Sequence, residues 1–126
     1  MPTIKGPVTH PKRVYLNEFN LVSGQTTYLP LATGRLRAHA ESSAELREGY
    51  EFAPFIFHID KPDAILAHYE APDLAAFSVS MWNEQLNLSV ARQVKERWPD
   101  CLIVFGGPQV PHRPADYFAA HPFIDI

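Results

Sequence analysis

The sequence has 126 residues, of which 46% are hydrophobic and 20% are charged, a composition that suits one globular domain with a single core. Its formal net charge of −3 argues against nucleic acid or an anionic membrane as a partner. A single cysteine, Cys101, excludes an internal disulfide framework and a cysteine-bound cluster built from this chain alone. No apolar run approaches the length of a membrane span, so we expect a cytoplasmic protein.

The first half of the chain predicts a leader, a strand, a helix and a second strand. Residues 1–12 predict a flexible leader, and residues 13–17 predict the first strand from their β-branched and aromatic content. Residues 28–40 carry leucines at helical spacing and predict a helix. Residues 54–59 form a short apolar run that is typical of a buried strand.

The second half predicts a regular alternation of helices and strands. Asp60 suits the beginning of a helix, and Pro99 suits the end of the next one, which carries apolar residues at every fourth position. The remaining helices are predicted at residues 60–70, 83–100 and 114–120, and the remaining strands at residues 73–80, 101–105 and 123–126.

This alternation predicts right-handed βαβ crossovers and a parallel sheet with helices on both faces. We therefore expect an α/β fold of the flavodoxin-like, Rossmann-like, doubly wound type, with about five strands in the order 2-1-3-4-5. Because the sequence ends within the predicted fifth strand, we expect the sheet to be truncated there and the chain to be a fragment of a longer protein.

Ligands of such sheets bind outside the carboxyl ends of the strands, which directs attention to the loops that follow strands one, three and four. Ser80 and Gly106 are 26 positions apart, the length of one helix and one strand, and so fall side by side at adjacent strand ends. A serine hydroxyl can donate to a buried ring nitrogen, and a glycine pair leaves room for a flat heterocycle. This pairing predicts a deep slot.

The residues alone leave two functions open for this slot and the loops around it. In the first, the chain binds FMN, with the phosphate held by the polar loop that contains Thr27 and the ring held by Tyr28 and Trp82. In the second, it is a ligand-free interaction domain in which the glycine pair is only a turn. The loop carries neither of the glycine-rich fingerprints that bind dinucleotides or nucleoside triphosphates.

The stretches VYLNEFN, TYLPLATGRL, FSVSMWN, ARQVKERWPDCLIVFGGPQVP and HPFIDI resemble the N-terminal cobalamin-binding domain of B12-dependent radical S-adenosylmethionine (SAM) proteins. The resemblance spans residues 13–126 and implies that Ser80 and the pair Gly106 and Gly107 line a slot for the dimethylbenzimidazole tail of cobalamin. It leaves two roles for Trp82, either facing the corrin ring or plugging a hydrophobic gap. The predicted cofactor-binding residues are Thr27, Tyr28, Ser78, Ser80, Trp82, Asn83, Gly106, Gly107, Pro108 and Gln109.

The same resemblance implies a methyltransferase-like parent protein whose C-terminal radical SAM domain binds S-adenosylmethionine and an iron–sulfur (4Fe-4S) cluster. Such a cluster needs three closely spaced cysteines, so this chain is expected to hold cobalamin and not to be catalytic by itself. Many B12 domains supply a cobalt ligand through an Asp-x-His-x-x-Gly motif, which this sequence lacks. No metal-binding residue is therefore assigned, and three candidates remain for the position below cobalt: water, an apolar side chain or a residue of the first loop.

Overall fold

The structure is a computed structural model that describes residues 10–126. Its strands are β1 (Lys12–Asn20), β2 (Val22–Ser23), β3 (Thr26–Thr27), β4 (Tyr50–Phe52), β5 (Ile56–His58), β6 (Leu74–Ser78) and β7 (Leu102–Gly106). Its helices are α1 (Leu31–Glu41), α2 (Ala44–Gly49), α3 (Pro62–Leu66), α4 (Glu84–Arg97) and α5 (Ala115–Ala120). No helix in this described part is long and apolar enough to cross a membrane.

Five strands form one parallel sheet, four of them in the order β4–β1–β6–β7. The fifth, β5, pairs with the C-terminal part of β1, whereas β4 pairs with its N-terminal part. The predicted doubly wound α/β fold and the order 2-1-3-4 of its first four strands are confirmed. Residues 123–126 do not form a regular strand, but they begin to pair with β7. Phe105 N donates to Ile126 O at 2.8 Å, and Asp125 N donates to Ile103 O at 3.0 Å.

The two faces of the sheet are covered differently. Side chains alternate along each strand, and Tyr15, Phe77 and Ile103 point to the face that α3 and α4 cover with the main hydrophobic core. Leu16 and Glu18 point to the opposite face, where α1 lies against β1. The core therefore sits on the α3–α4 face, and the α1 face is less completely covered.

Several element boundaries differ from the prediction. The first strand continues to Asn20 because all six residues from Val14 to Phe19 are buried in the centre of the sheet. Residues 1–9 of the predicted leader lie outside the described residues, and Lys12 at its end belongs to β1. The helix predicted at residues 60–70 covers only α3, with Lys61 and not Asp60 at its N-cap, since a proline follows Lys61.

The predicted helix at residues 28–40 begins later, at Leu31, because Pro30 occupies its N-cap. Its apolar spacing does not mark a buried face: Leu31 and Leu36 are exposed, and Thr33 is the one buried residue of α1. The hairpin β2–β3 and the short strand β4 had no clear sequence signal. Tertiary pairing, not local propensity, produces such two- and three-residue strands.

Gly107 explains the double glycine that ends β7. Its φ is +109°, and a Cβ at this position would lie 2.6 Å from the carbonyl oxygen of Val79 and 2.8 Å from its nitrogen. The approach belongs to a tight turn in which Gln109 N donates to Val79 O at 3.2 Å. Only glycine fits such a contact. A Cβ at Gly106, in contrast, would meet no atom within 4 Å.

We expect Gly107→Ala to lower the free energy of unfolding by at least about 2 kcal/mol, because backbone strain and overpacking act together. The matched variant Gly106→Ala should change it by less than about 0.5 kcal/mol, since its methyl group enters open space. Urea unfolding of both variants measures the difference. Equal effects would show that the contact with Val79 is not what requires glycine.

Asp125 fastens the C-terminal segment to β7 and α4. Its Oδ2 accepts hydrogen bonds from Ile103 N and from Lys95 Nζ, each at 2.8 Å. Burial opposes ionisation of this carboxyl, but the hydrogen bonds from Ile103 and Lys95 and the charge of Lys95 outweigh it, so the pKa of Asp125 is lowered below 3.8. A folded-state pKa below the unfolded value means that the ionised carboxylate stabilises the fold.

That stabilisation is complete above the unfolded pKa and is lost as the pH falls through the folded pKa. We expect Asp125→Asn to cost about 1 kcal/mol at neutral pH, and the difference from the wild type should close as the pH falls below 3.8. Urea unfolding at a series of pH values measures it, with Asp100→Asn as an exposed control. A difference that does not change with pH would contradict the role of the charge.

Candidate functional site

The carboxyl ends of three strands bring Glu18, Ser78 and Gly106 into one row. Asn17 pairs with Phe77, and Ser78 pairs with Gly106, so the residue after Asn17 continues the row on the same face. Ser78 is half-buried and Gly106 is exposed. This row lies on the less completely covered α1 face of the sheet.

Next to α1, the sheet surface is open and made of small side chains. We call this surface the half-open face; its residues are Ala76, Ser78, Val104 and Gly106. Gly106 lets the surface stay flat, and nothing in the described chain fills the space above its Cα. A flat apolar ring could therefore lie against it without displacing the protein.

Ser80 lies just after β6 and is 8% exposed. Its backbone nitrogen donates to Asn83 Oδ1 at 2.7 Å, whereas its hydroxyl has no hydrogen-bond partner among the described residues. A serine hydroxyl in this state remains able to donate to a ligand.

The Asn83 side chain ties three elements together. Its Nδ2 donates to Phe19 O at 2.9 Å and to Ser78 O at 3.1 Å, so it joins the ends of β1 and β6. Its Oδ1 accepts from Ser80 N at 2.7 Å and from Asn87 Nδ2 at 2.9 Å. These bonds use every hydrogen-bonding position of the amide. Asn83 therefore positions the loop after β6 and has no free polar group for a ligand.

An apolar cleft of about 440 Å³ opens beside the row, above the end of β1. Trp82 and Tyr28 form its aromatic rim and are 51% and 57% exposed. The residues that line the cleft are Glu18, Asn20, Leu21, Tyr28, Leu29, Leu31 and Trp82. Exposed aromatic and leucine side chains around a concave surface are typical of a binding site and unusual on a free surface.

Glu18 is the one acidic residue of the cleft and is 8% exposed. Its Oε1 accepts from Ala32 N at 3.1 Å and its Oε2 accepts from the Thr33 hydroxyl at 3.4 Å. It thereby takes the place of the side-chain cap that α1 lacks at Pro30. Burial raises the pKa of Glu18, and the hydrogen bonds from Ala32 and Thr33 only partly oppose this effect.

The structure brings some of the predicted site residues together. Ser78 pairs with Gly106 in the row, Ser80 follows β6 two residues later, and Tyr28 and Trp82 line the cleft. The side chains of Pro108 and Gln109 are exposed in the turn after β7. Thr27 belongs to the β2–β3 hairpin.

Five residues that line the cleft were not in the predicted set: Glu18, Asn20, Leu21, Leu29 and Leu31. Glu18 offered a signal, because a charged residue follows the apolar segment of residues 14–16 in the first strand. Leu29 and Leu31 offered none, since their spacing in the predicted helix also fits a buried face.

Two buried polar atoms, Asn87 Oδ1 and the Tyr117 hydroxyl, have no partner in the described part of the chain. Tyr117 packs against the core cluster on the α3–α4 face, so it does not border the half-open face. Residues 10–126 contain no group of three or more histidine, cysteine, aspartate or glutamate side chains that could hold a metal ion.

Two curated proteins are similar to this chain. Over 115 residues, or 91% of the chain, it is 41% identical to 2-(S-pantetheinyl)-carbapenam-3-carboxylate methyltransferase from Streptantibioticus cattleyicolor, of which the match covers 16%. Over 99 residues, or 79% of the chain, it is 37% identical to the cobalamin-dependent radical SAM methyltransferase TokK from Streptomyces tokunonensis, of which the match covers 14%. The chain thus spans only a small part of these relatives. No family model matches it.

We expect Asn83→Ala to lower the free energy of unfolding by about 2–4 kcal/mol, because it leaves buried carbonyl and amide groups without partners. Asn83→Asp should also destabilise, since a carboxylate oxygen would face the carbonyls of Phe19 and Ser78. Urea unfolding measures both, and the exposed neighbour Gln85→Ala should stay within about 0.5 kcal/mol. If Asn83→Asp were as stable as the wild type, the carbonyls of Phe19 and Ser78 would not depend on the amide.

Proposed function

We propose that this chain is the cobalamin-binding domain of a longer radical SAM methyltransferase. The observation that carries the proposal is the half-open face, where Gly106 leaves space directly beside the aromatic rim of the cleft. Similarity to two methyltransferases, one of them named as cobalamin-dependent, supports it. The parent's C-terminal domain would bind S-adenosylmethionine and the 4Fe-4S cluster, and this chain alone would not be catalytic.

The half-open face suits the nucleotide tail of cobalamin, which ends in a flat dimethylbenzimidazole. Ala76, Val104 and Gly106 offer it a smooth apolar surface, and the hydroxyls of Ser78 and Ser80 offer donors for a ring nitrogen. We assign the ring to Gly106 and not to Gly107, because the space at Gly107 is filled by the backbone of Val79.

The cleft would hold the corrin ring against its apolar lining. Trp82 is half-exposed in this chain and therefore does not plug a gap in its core, so we assign it to the corrin, together with Tyr28. Both rings offer broad apolar contact and exclude water from the cofactor. When bound, cobalamin supplies a cobalt centre that accepts and gives up a methyl group.

FMN is a less suitable ligand for this site. Residues 23–27, which would have held its phosphate, lie across the β2–β3 hairpin and not at the N-terminus of a helix. The nearest helix N-terminus, that of α1, is already occupied by the Glu18 carboxyl, which would repel a phosphate.

Titration of the 126-residue chain with hydroxocobalamin and methylcobalamin, followed by visible absorption, tests the proposal. We expect saturable binding of both, and we expect Gly106→Leu to weaken it at least about tenfold by filling the space for the ring. Gly49→Leu is the matched control, because a Cβ there also meets open space but lies at the end of α2.

Absence of binding to the wild type would overturn the proposal. Binding that Gly106→Leu leaves unchanged would overturn the assignment of the tail to the half-open face. A Gly107 variant would not serve here, because its clash with Val79 disturbs the fold whether or not a ligand binds.

A further inference from the structure

Glu18 is a buried carboxyl group to which neither the tail nor the corrin assignment gives a role. It stands in the row with Ser78 and Gly106, and it also lines the cleft. It therefore lies where the space proposed for the corrin meets the space proposed for the tail.

The Glu18 carboxyl is incompletely satisfied by the protein. A carboxylate offers about four lone-pair positions. The Glu18 carboxyl accepts from Ala32 N and from the Thr33 hydroxyl, the latter long at 3.4 Å, and the backbone N–H of Thr33 is a third donor to it. None of the ion pairs among the described residues includes Glu18. Acceptor capacity therefore remains on a group that borders the cleft.

The periphery of cobalamin carries primary carboxamides, whose N–H groups are donors. Incompletely amidated corrinoids carry carboxylates at the same positions. In a partly desolvated cleft, a protein carboxylate attracts an amide N–H and repels a second carboxylate. One side chain therefore strengthens the binding of cobalamin and weakens the binding of a corrinoid that carries a carboxylate.

We propose that Glu18 is a specificity residue that accepts a hydrogen bond from a corrin carboxamide and disfavours corrinoids with a carboxylate in its place. The inference rests on the proposed function, since it requires the corrin to occupy the cleft.

The test compares hydroxocobalamin with three monocarboxylic derivatives, each of which has one of the propionamides of the corrin hydrolysed to the acid. We expect the wild type to bind at least one derivative about tenfold more weakly than hydroxocobalamin near neutral pH. Glu18→Gln should bind hydroxocobalamin more weakly than the wild type does. It should also bring that derivative to within about threefold of hydroxocobalamin, because glutamine can donate to a carboxylate.

Two variants separate this role from structural effects. Glu48→Gln makes the same change of charge on the exposed surface of α2 and should keep the wild-type discrimination. Thr33→Val removes one hydrogen bond to Glu18 but keeps its carboxyl, so it should keep the discrimination even if α1 loosens. Circular dichroism of each variant reports whether the helices remain intact.

The outcomes are distinguishable from failure of the proposed function. If hydroxocobalamin does not bind the wild type, the proposed function fails. If it binds but the wild type does not discriminate against any derivative, or if Glu18→Gln discriminates as the wild type does, only the role of Glu18 is overturned. Loss of discrimination in Thr33→Val as well would also overturn it, because the effect would then follow the position of α1.

Discussion

The carboxyl edge of the sheet depends on one side-chain amide. Asn83 bonds to the ends of β1 and β6 and, through Asn87, to the first turn of α4, and it is almost completely buried. Buried amides of this kind are costly unless every polar position is satisfied, and here every position is. The row and the rim of the cleft therefore rest on a rigid edge, because Ser78, Ser80 and Trp82 all lie within five residues of Asn83.

The site arises from unequal covering of the sheet. On one face, α3 and α4 bury Tyr15, Phe77 and Ile103 in a continuous core that stabilises the fold. On the other face, α1 lies against β1, and its Arg37 stacks over Phe52 of β4. Small side chains on β6 and β7 remain partly exposed there. A sheet stabilised from one side can leave the other side open to a ligand without losing its register.

The fold could be predicted from the sequence because its signals are local and strong. Apolar runs such as residues 101–105 and the helix of α4 need no partner to be recognised. Gly106 and Gly107 look alike in the sequence, yet one faces open space and the other meets the Val79 backbone. Asn83 remains a predicted cofactor-binding residue, and the full bonding of its amide within the protein is a property that only tertiary contacts could reveal.

The position of α1 depends on its hydrogen bonds to Glu18. Thr33 is its one buried residue, and its N-cap, Pro30, provides no side-chain hydrogen bond. Glu18, from the strand below, therefore supplies the cap and joins the helix to the cleft. A helix with so few buried contacts belongs to the less stable part of a fold. Since Leu29 and Leu31 line the same cleft, a ligand that fills it would add the apolar contacts that α1 lacks and so stabilise the helix.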